Sequence, residues 1–358
     1  MSNFRPRRTF ALQGRELSLA AHPGEVSEAS AKLMEHARAD NTISAYLGHI
    51  KRYNAWCASN ERDAFSGPSV ADFLAHCYRE RRYARAALKQ AVSALKFALA
   101  RAGERIDWTA ANLVLAGAVR TLAEEGRDGR GKATPLGLEL VKRACAELYS
   151  IARAPRGVHV VTDDGGRKPE ILAPSIAARD RALILIGYLG AFRRSDLVRQ
   201  NVSDIRVVPQ GLIIRMRGRK HHDEVSTRKL RRGKSPELCP VQAWEAWQKV
   251  RPVDMFDAPA WVRGADGRAG VHRLDGRRIG RNSVTRIVRR ALCFAQVEAP
   301  ELYSAHSFRG GLAVDLARAG VNIPDIAEAG GWENLETVLG YARDGVEWDE
   351  SPLWRLDY

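Results

Sequence analysis

The sequence predicts a mainly α-helical protein with a small β-sheet, built as an all-α domain followed by a mixed α/β domain. Three observations carry this. Apolar residues recur at three- and four-residue intervals from about Ser27 to Glu124. A polar, glycine-rich run, Glu124-Glu125-Gly126-Arg127-Asp128-Gly129-Arg130-Gly131-Lys132, then interrupts that pattern. Beyond it the helical period returns, broken once by a period of two between Gly211 and Lys220. A chain of 358 residues suits two domains, and a hydrophobic content of 45% is enough to build a core in each. The boundaries expected are an arm over 1–26, a helical domain over 27–124, a linker over 125–134 and a second domain over 135–358.

The arm carries Arg5, Arg7 and Arg8 and reads as a poorly ordered, solvated tail. In the helical domain, Leu33, Met34 and Ala37 mark a first helix. Asn41 and Thr42 are candidate caps for a second, whose stripe is Ile43, Tyr46, Leu47, Ile50, Tyr53 and Trp56. His49, Lys51 and Arg52 fall off that stripe. Pro68-Ser69 followed by Asp72 reads as a helix start with Ser69 as its cap. Residues 79–103 form an alanine-rich helical segment ended by Gly103, with Arg79, Arg81, Arg82, Arg85 and Lys89 crowded at its beginning. Leu113, Val114, Ala118 and Leu122 mark a further helix.

In the second domain, Leu138, Leu140, Val141 and Ala144 start a helix, and residues 154–174 read as a surface loop or hairpin. Residues 182–190 form a buried apolar helix, after which a second helix presents Arg193 and Asp196 on one face. Leu212, Ile214 and Met216 alternate with Ile213, Arg215 and Arg217, which is a strand. Its return begins at Val225-Ser226-Thr227, so Lys220 sits near a hairpin tip. Helices follow at 240–250 and 283–296.

Lys and Arg outnumber Asp and Glu 57 to 42, giving a net charge of +15 spread along the chain. That balance favours a polyanion, above all nucleic acid, because each neutralised phosphate releases counterions. The surface candidates for DNA contact are His49, Lys51, Arg52, Arg81, Arg82, Arg85 and Lys89. Cys57, Cys77, Cys145, Cys239 and Cys293 are odd in number and contain no CxxC pair. This argues against a zinc module or a disulfide framework and for reduced, buried thiols. No secretory signal and no membrane-spanning run is present.

The stretch from Ala305 to Tyr341 brings His306, Arg309, Trp332 and Tyr341 into one segment. Arginine suits phosphodiester chemistry: its planar fork stays charged and pairs with two phosphate oxygens. Arg193 and Arg309 are placed to clamp one phosphate, with His306 and the Trp332 indole N–H as further donors to charge growing at phosphorus. Tyr341 suits a nucleophile and Lys220 the general acid for a leaving sugar oxygen. No metal or cofactor is needed, since the guanidinium groups stand in for one. The segment 316–332 also has the pattern of a helix-turn-helix with Gly320 at the turn, so a non-catalytic DNA-binding regulator remains open at this point.

Taken together and in order, these pieces resemble the tyrosine recombinases, the phage integrase family, and within them the Cre-like recombinases. AFRRSDL resembles the first arginine box, with Arg193 and its acidic partner Asp196. HSFRGGLAVDLARAG resembles the second, with His306 and Arg309. GGWENLETVLGY resembles the third, with Trp332 and the nucleophile Tyr341. Most relatives carry histidine where Trp332 stands; the Cre-like members share the tryptophan. The resemblance implies a C-shaped clamp on DNA, made of a SAM-like core-binding domain and a mixed catalytic domain. It implies strand exchange through a 3′-phosphotyrosyl intermediate and a Holliday junction, without cofactor. It further implies a double-stranded target with inverted repeats and a homo-tetramer across two sites. The apolar patch Leu353, Trp354 and Leu356, within 347–358, is expected to be a C-terminal exchange helix. A cytoplasmic, nucleoid-associated enzyme of bacterial, phage or plasmid origin is expected, and a topoisomerase-like or telomere-resolving outcome of the same chemistry stays open.

Overall fold

The computed structural model describes residues 10, 12–13, 16–17, 40–127, 133–154, 158–160, 170–216, 226–251, 257–265 and 273–344. It is mainly helical with small antiparallel sheets. The chain divides into two compact units, Met1–Gly131 and Lys132–Tyr358.

The first unit is a helical bundle of α1 (Asp40–Ser59), α2 (Gly67–Arg79), α3 (Arg85–Arg101) and α4 (Thr109–Glu124), preceded by the two-residue strands β1 (Leu12–Gln13) and β2 (Glu16–Leu17). On α1, Tyr46, Ile50, Tyr53 and Cys57 bury one stripe, as their spacing predicts. Tyr53 meets Phe73 of α2 edge-on, at 5.0 Å between ring centroids. The arm is not wholly solvated. Phe10 is buried between Tyr53 and Phe65, and its backbone exchanges two hydrogen bonds with the Asn54 amide. The helix proposed around Leu33, Met34 and Ala37 lies outside the described residues.

Four readings in this unit are corrected. Ser69 is no cap: α2 begins at Gly67 with Pro68 in its first turn, so Ser69 is already helical and buried. Residues 79–103 are not one helical segment. A turn with Arg82 at φ +51° separates α2 from α3, and Gly103 at φ +68° follows the end of α3. Leu113 is 69% exposed, because α4 faces inward through Ala111, Ala118 and Leu122, and two residues on a helix are roughly 200° apart. His49 is buried, its Nε2 3.3 Å from the Gln90 Oε1 of α3. An off-stripe position on a helical wheel does not register a second helix packed on that flank, so His49 is not the exposed position that its place on the wheel suggested. Lys51, Arg52, Arg81, Arg82, Arg85 and Lys89 are all exposed.

The second unit opens with α5 (Leu138–Arg153) and the antiparallel hairpin β3 (Val158–Val160) with β4 (Glu170–Leu172), as the loop-or-hairpin reading allowed. Helix α6 (Pro174–Leu189) is buried on every side from Ile176 to Tyr188 and packs on α5. Even its polar residues are internal. Arg179 donates to Asp180 at 2.7 Å and to the Val262 carbonyl at 2.9 Å, and Arg290 closes the far side of the same carboxylate. After α6 come α7 (Arg194–Arg199) and the three-stranded antiparallel sheet β5 (Ile205–Val208), β6 (Gly211–Arg215) and β7 (Thr227–Arg231), in that order. Leu212, Ile214 and Met216 are buried and Arg215 is exposed, the alternation read from sequence.

Helix α8 (Pro240–Val250), the hairpin β8 (Val262–Ala265) with β9 (Arg273–Arg278), and α9 (Arg281–Phe294) lead to α10 (Ser307–Arg318), α11 (Ile323–Gly330) and α12 (Leu335–Asp344). Strand β5 and the β8–β9 hairpin were not anticipated. Asp315 ties α10 to two neighbours, accepting from the Tyr188 hydroxyl of α6 at 2.5 Å and from the Leu138 backbone N–H at the start of α5 at 2.7 Å. All five cysteines are free thiols; Cys293 is half-buried rather than buried. No helix among the described residues is long and apolar enough to cross a membrane, and no group of His, Cys, Asp or Glu there could hold a metal ion.

Candidate active site

Five of the residues singled out from sequence meet in one open cleft of about 310 Å³. Arg193, His306, Arg309, Trp332 and Tyr341 line it, together with Glu333, Asn334 and Thr337. Each side chain is delivered by a specific local device.

The chain leaves α6 through Gly190 and Ala191. Ala191 holds φ +47°, a left-handed conformation that a Cβ residue adopts only under constraint. That turn sets Arg193 as the residue capping α7, ahead of the helix rather than within it. It also aims the Ala191 carbonyl at Arg309, whose Nη1 donates to it at 2.5 Å and to the Gly330 carbonyl at 3.1 Å. Arg309 is 5% exposed, and its guanidinium carbon stands 4.3 Å from the Trp332 ring centroid. A cation stacked on an aromatic face and fixed by backbone carbonyls needs little rearrangement when an anion arrives.

His306 and Arg309 sit at the start of α10. The Ser307 hydroxyl accepts from the Ser304 N–H at 2.9 Å, and the Ser304 hydroxyl accepts from the His306 N–H at 3.2 Å. His306 keeps an exposed edge. Lost hydration on its inner side, and then the Arg194, Arg309 and Arg193 guanidiniums, hold its pKa below the ordinary value. Its imidazole can donate an N–H to an anion in the cleft. The two glycines after Arg309 have steric roles. A Cβ on Gly311 would fall 1.9 Å from the Leu136 carbonyl oxygen, and one on Gly310 would fall 3.2 Å from Tyr341 Cε1. The bare helix face lets residues 135–136 and the tyrosine ring approach together.

Helix α11 ends in a Schellman turn. Gly331 is left-handed at φ +61°, its N–H bonds to Glu328 O at 3.1 Å, and the Trp332 N–H bonds to Ala327 O at 2.9 Å. Trp332 is thereby turned inward, 8% exposed, and its buried Nε1–H meets no acceptor among the described residues. Tyr341 follows on α12, its ring centroid 6.4 Å from that of Trp332.

Asp196 is not part of the cleft. It lies in a separate small recess with Arg199, Gln200, Arg215 and Met216, and its backbone N–H bonds to Arg193 O at 2.9 Å. Lys220 and the patch Leu353, Trp354 and Leu356 lie outside the described residues. Sequence reasoning missed Glu333, Asn334 and Thr337. Thr337 was findable, since it stands one helical turn before Tyr341 on the same face of α12. Chemically, the cleft gathers two guanidiniums, an imidazole, an orphan indole donor and a phenol. That set suits a tetrahedral anion presented to an attacking oxygen.

A model of the Phage integrase family matches residues 169–347, half the chain, and a model of the phage integrase N-terminal SAM-like domain matches residues 28–106. An integrase/recombinase XerD homolog of Selenomonas ruminantium is 28% identical over 185 residues, 50% of this chain and 51% of that protein. Recombinase Cre of Escherichia phage P1 is 55% identical over 42 residues, 12% of each chain. The chain thus spans about half, or less, of the length of these curated relatives. Among solved structures, the Tn1549 transposon integrase in complex with circular intermediate DNA superposes with a TM-score of 0.54 at 15% identity, covering 91% of this chain and 97% of that one. XerH site-specific recombinase bound to difH substrate in a pre-cleavage complex gives 0.52 at 16% identity, covering 88% and 80%. At such identities the likeness is one of fold.

Proposed function

The chain belongs to the phage integrase family, and from that premise we propose that it is a site-specific DNA recombinase acting through a tyrosine nucleophile. The single observation that carries the reading is the cleft: the side chains of three separated sequence boxes converge on one open space.

In this reading Arg193 and Arg309 bind the non-bridging oxygens of the scissile phosphate, and the His306 and Trp332 N–H groups donate to the same oxygens as charge builds. The Tyr341 oxygen attacks phosphorus while its phenolic proton leaves to solvent in the open cleft, a P–O(Tyr) bond forms and the P–O5′ bond breaks. Lys220 supplies the proton that the departing 5′-oxygen takes up. The product is a 3′-phosphotyrosyl bond and a free 5′-hydroxyl. That hydroxyl attacks the phosphotyrosyl bond of a partner strand, reversing the chemistry, so bond energy is conserved and no cofactor is consumed. Two rounds pass through a Holliday junction.

The DNA carried by the solved relatives extends to this chain as part of the proposal. It comprises a duplex site with inverted repeats, the basic residues Lys51, Arg52, Arg81, Arg82, Arg85 and Lys89 on its backbone, four protomers joined through residues 347–358, and a cytoplasmic, nucleoid-associated setting. The test is to recover and sequence DNA covalently trapped on the protein. Tyr341→Phe should bind the recovered duplex with unchanged affinity and form no adduct. An adduct that persists in this variant would refute the nucleophile, and binding without any nicking by the parent protein would favour a regulator.

A further inference from the structure

The Gly330–Gly331 turn is held from two directions. Arg309 of α10 donates to the Gly330 carbonyl at 3.1 Å. At the next residue the neighbour is Arg228 of β7: a Cβ on Gly331 would fall 1.6 Å from Arg228 Nη2. The Trp332 ring folds back over the same turn, so a Cβ on Gly330 would fall 1.7 Å from Trp332 Cζ3. Arg228 is half-buried, paired across the ladder with Ile214, and its Nη1 donates to the Thr227 carbonyl at 3.2 Å. Arg228 does not line the cleft.

We propose that Arg228 is a positioning residue that locks the Gly330–Gly331 turn and thereby fixes the Trp332 indole N–H toward the phosphate. A left-handed glycine is a soft point, free to populate both signs of φ. The donor that follows it is buried without an acceptor among the described residues, a condition that a mobile turn would relieve by rotating the indole away. A guanidinium seated against the glycine removes that freedom, and its planar fork does so from a strand that the sheet holds in register. Lysine, a flexible point charge, cannot fill the same plane. The arrangement also sets the turn that carries the indole directly beside strand β7. The positioning role is independent of the reaction; its effect on cleavage rests on the recombinase reading.

Two measurements test it. In protein labelled with 15N at the tryptophan indoles, the Trp332 signal is assigned by its loss in Trp332→Phe. Arg228→Gln should shift or broaden that signal and leave those of Trp244, Trp247 and Trp261 in place. In single-turnover cleavage of the trapped duplex, Arg228→Ala should slow the reaction by about 10- to 100-fold with DNA affinity unchanged. The slowing should vanish in a Trp332→Phe background, because Arg228 then has no donor to place. Arg228→Lys gives the same reading if the alanine variant does not fold. An unmoved Trp332 signal, or a full Arg228 effect persisting without the indole, overturns the proposal. A parent protein that forms no adduct sinks the recombinase reading and leaves the indole spectrum to decide the role of Arg228.

Discussion

His49 and His306 show what a single residue does and does not disclose. Both are imidazoles held below their ordinary pKa, His49 chiefly by burial and His306 by lost hydration among guanidiniums. For His49 the consequence is pH-dependent stability. Its folded pKa lies below its unfolded value of about 6.5, so the unfolded chain takes up the proton first. Stability is therefore complete above that value and falls as pH drops through the window beneath it. His49→Gln should flatten this acid slope in denaturant titrations at a series of pH values; an unchanged slope would place its origin elsewhere. The sequence disclosed His306 readily, because an HxxR string within an arginine- and tyrosine-bearing segment is chemically rare. His49 misled, since its burial depends on Gln90 and Tyr83, more than thirty residues away. Arg228 was invisible for a related reason. A half-exposed arginine in an alternating strand looks solvated until a glycine turn about a hundred residues downstream is laid against it.

At the scale of elements, Asp315 is the joint that lets α10 carry the site. One carboxylate oxygen accepts from both the Leu138 N–H and the Tyr188 hydroxyl, so it caps α5 and ties α10 to α6 together. Asp315→Ala leaves two donors without their acceptor and should cost about 2–3 kcal/mol in urea unfolding. Asp315→Asn, which keeps one acceptor, should recover part of that. A loss below ~0.5 kcal/mol would mean that the joint carries no weight. The long helices were legible because their stripes run for three or more turns. The short strands β5, β8 and β9 were not: runs such as Arg273–Arg278, RLDGRR, have no apolar alternation, and only pairing with Val262–Ala265 makes them strands. The break at residues 80–84 was likewise hidden, because arginine is a good helix former and the turn is set by backbone closure between α2 and α3.

Across the whole molecule, a glycine- and charge-rich run lies between two stretches that each bury a core of their own. The five cleft residues were readable as a set because each sits in a short local box; their convergence was not, because it depends on the Ala191 and Gly331 backbone conformations. One feature of that convergence bears on how the protein melts. The Trp332 indole donor is buried without an acceptor among the described residues, a deficit of roughly 1–3 kcal/mol. A tetrahedral anion that accepts from it repays that deficit and shifts the thermal midpoint by mass action. Sulfate should therefore raise the midpoint of the parent protein more than that of Trp332→Phe, while in chloride alone the phenylalanine variant should be at least as heat-resistant as the parent. Equal sulfate responses would show that the indole is not the group the anion relieves. A buried indole donor that waits for an anion would thus lower the heat tolerance of the protein that carries it.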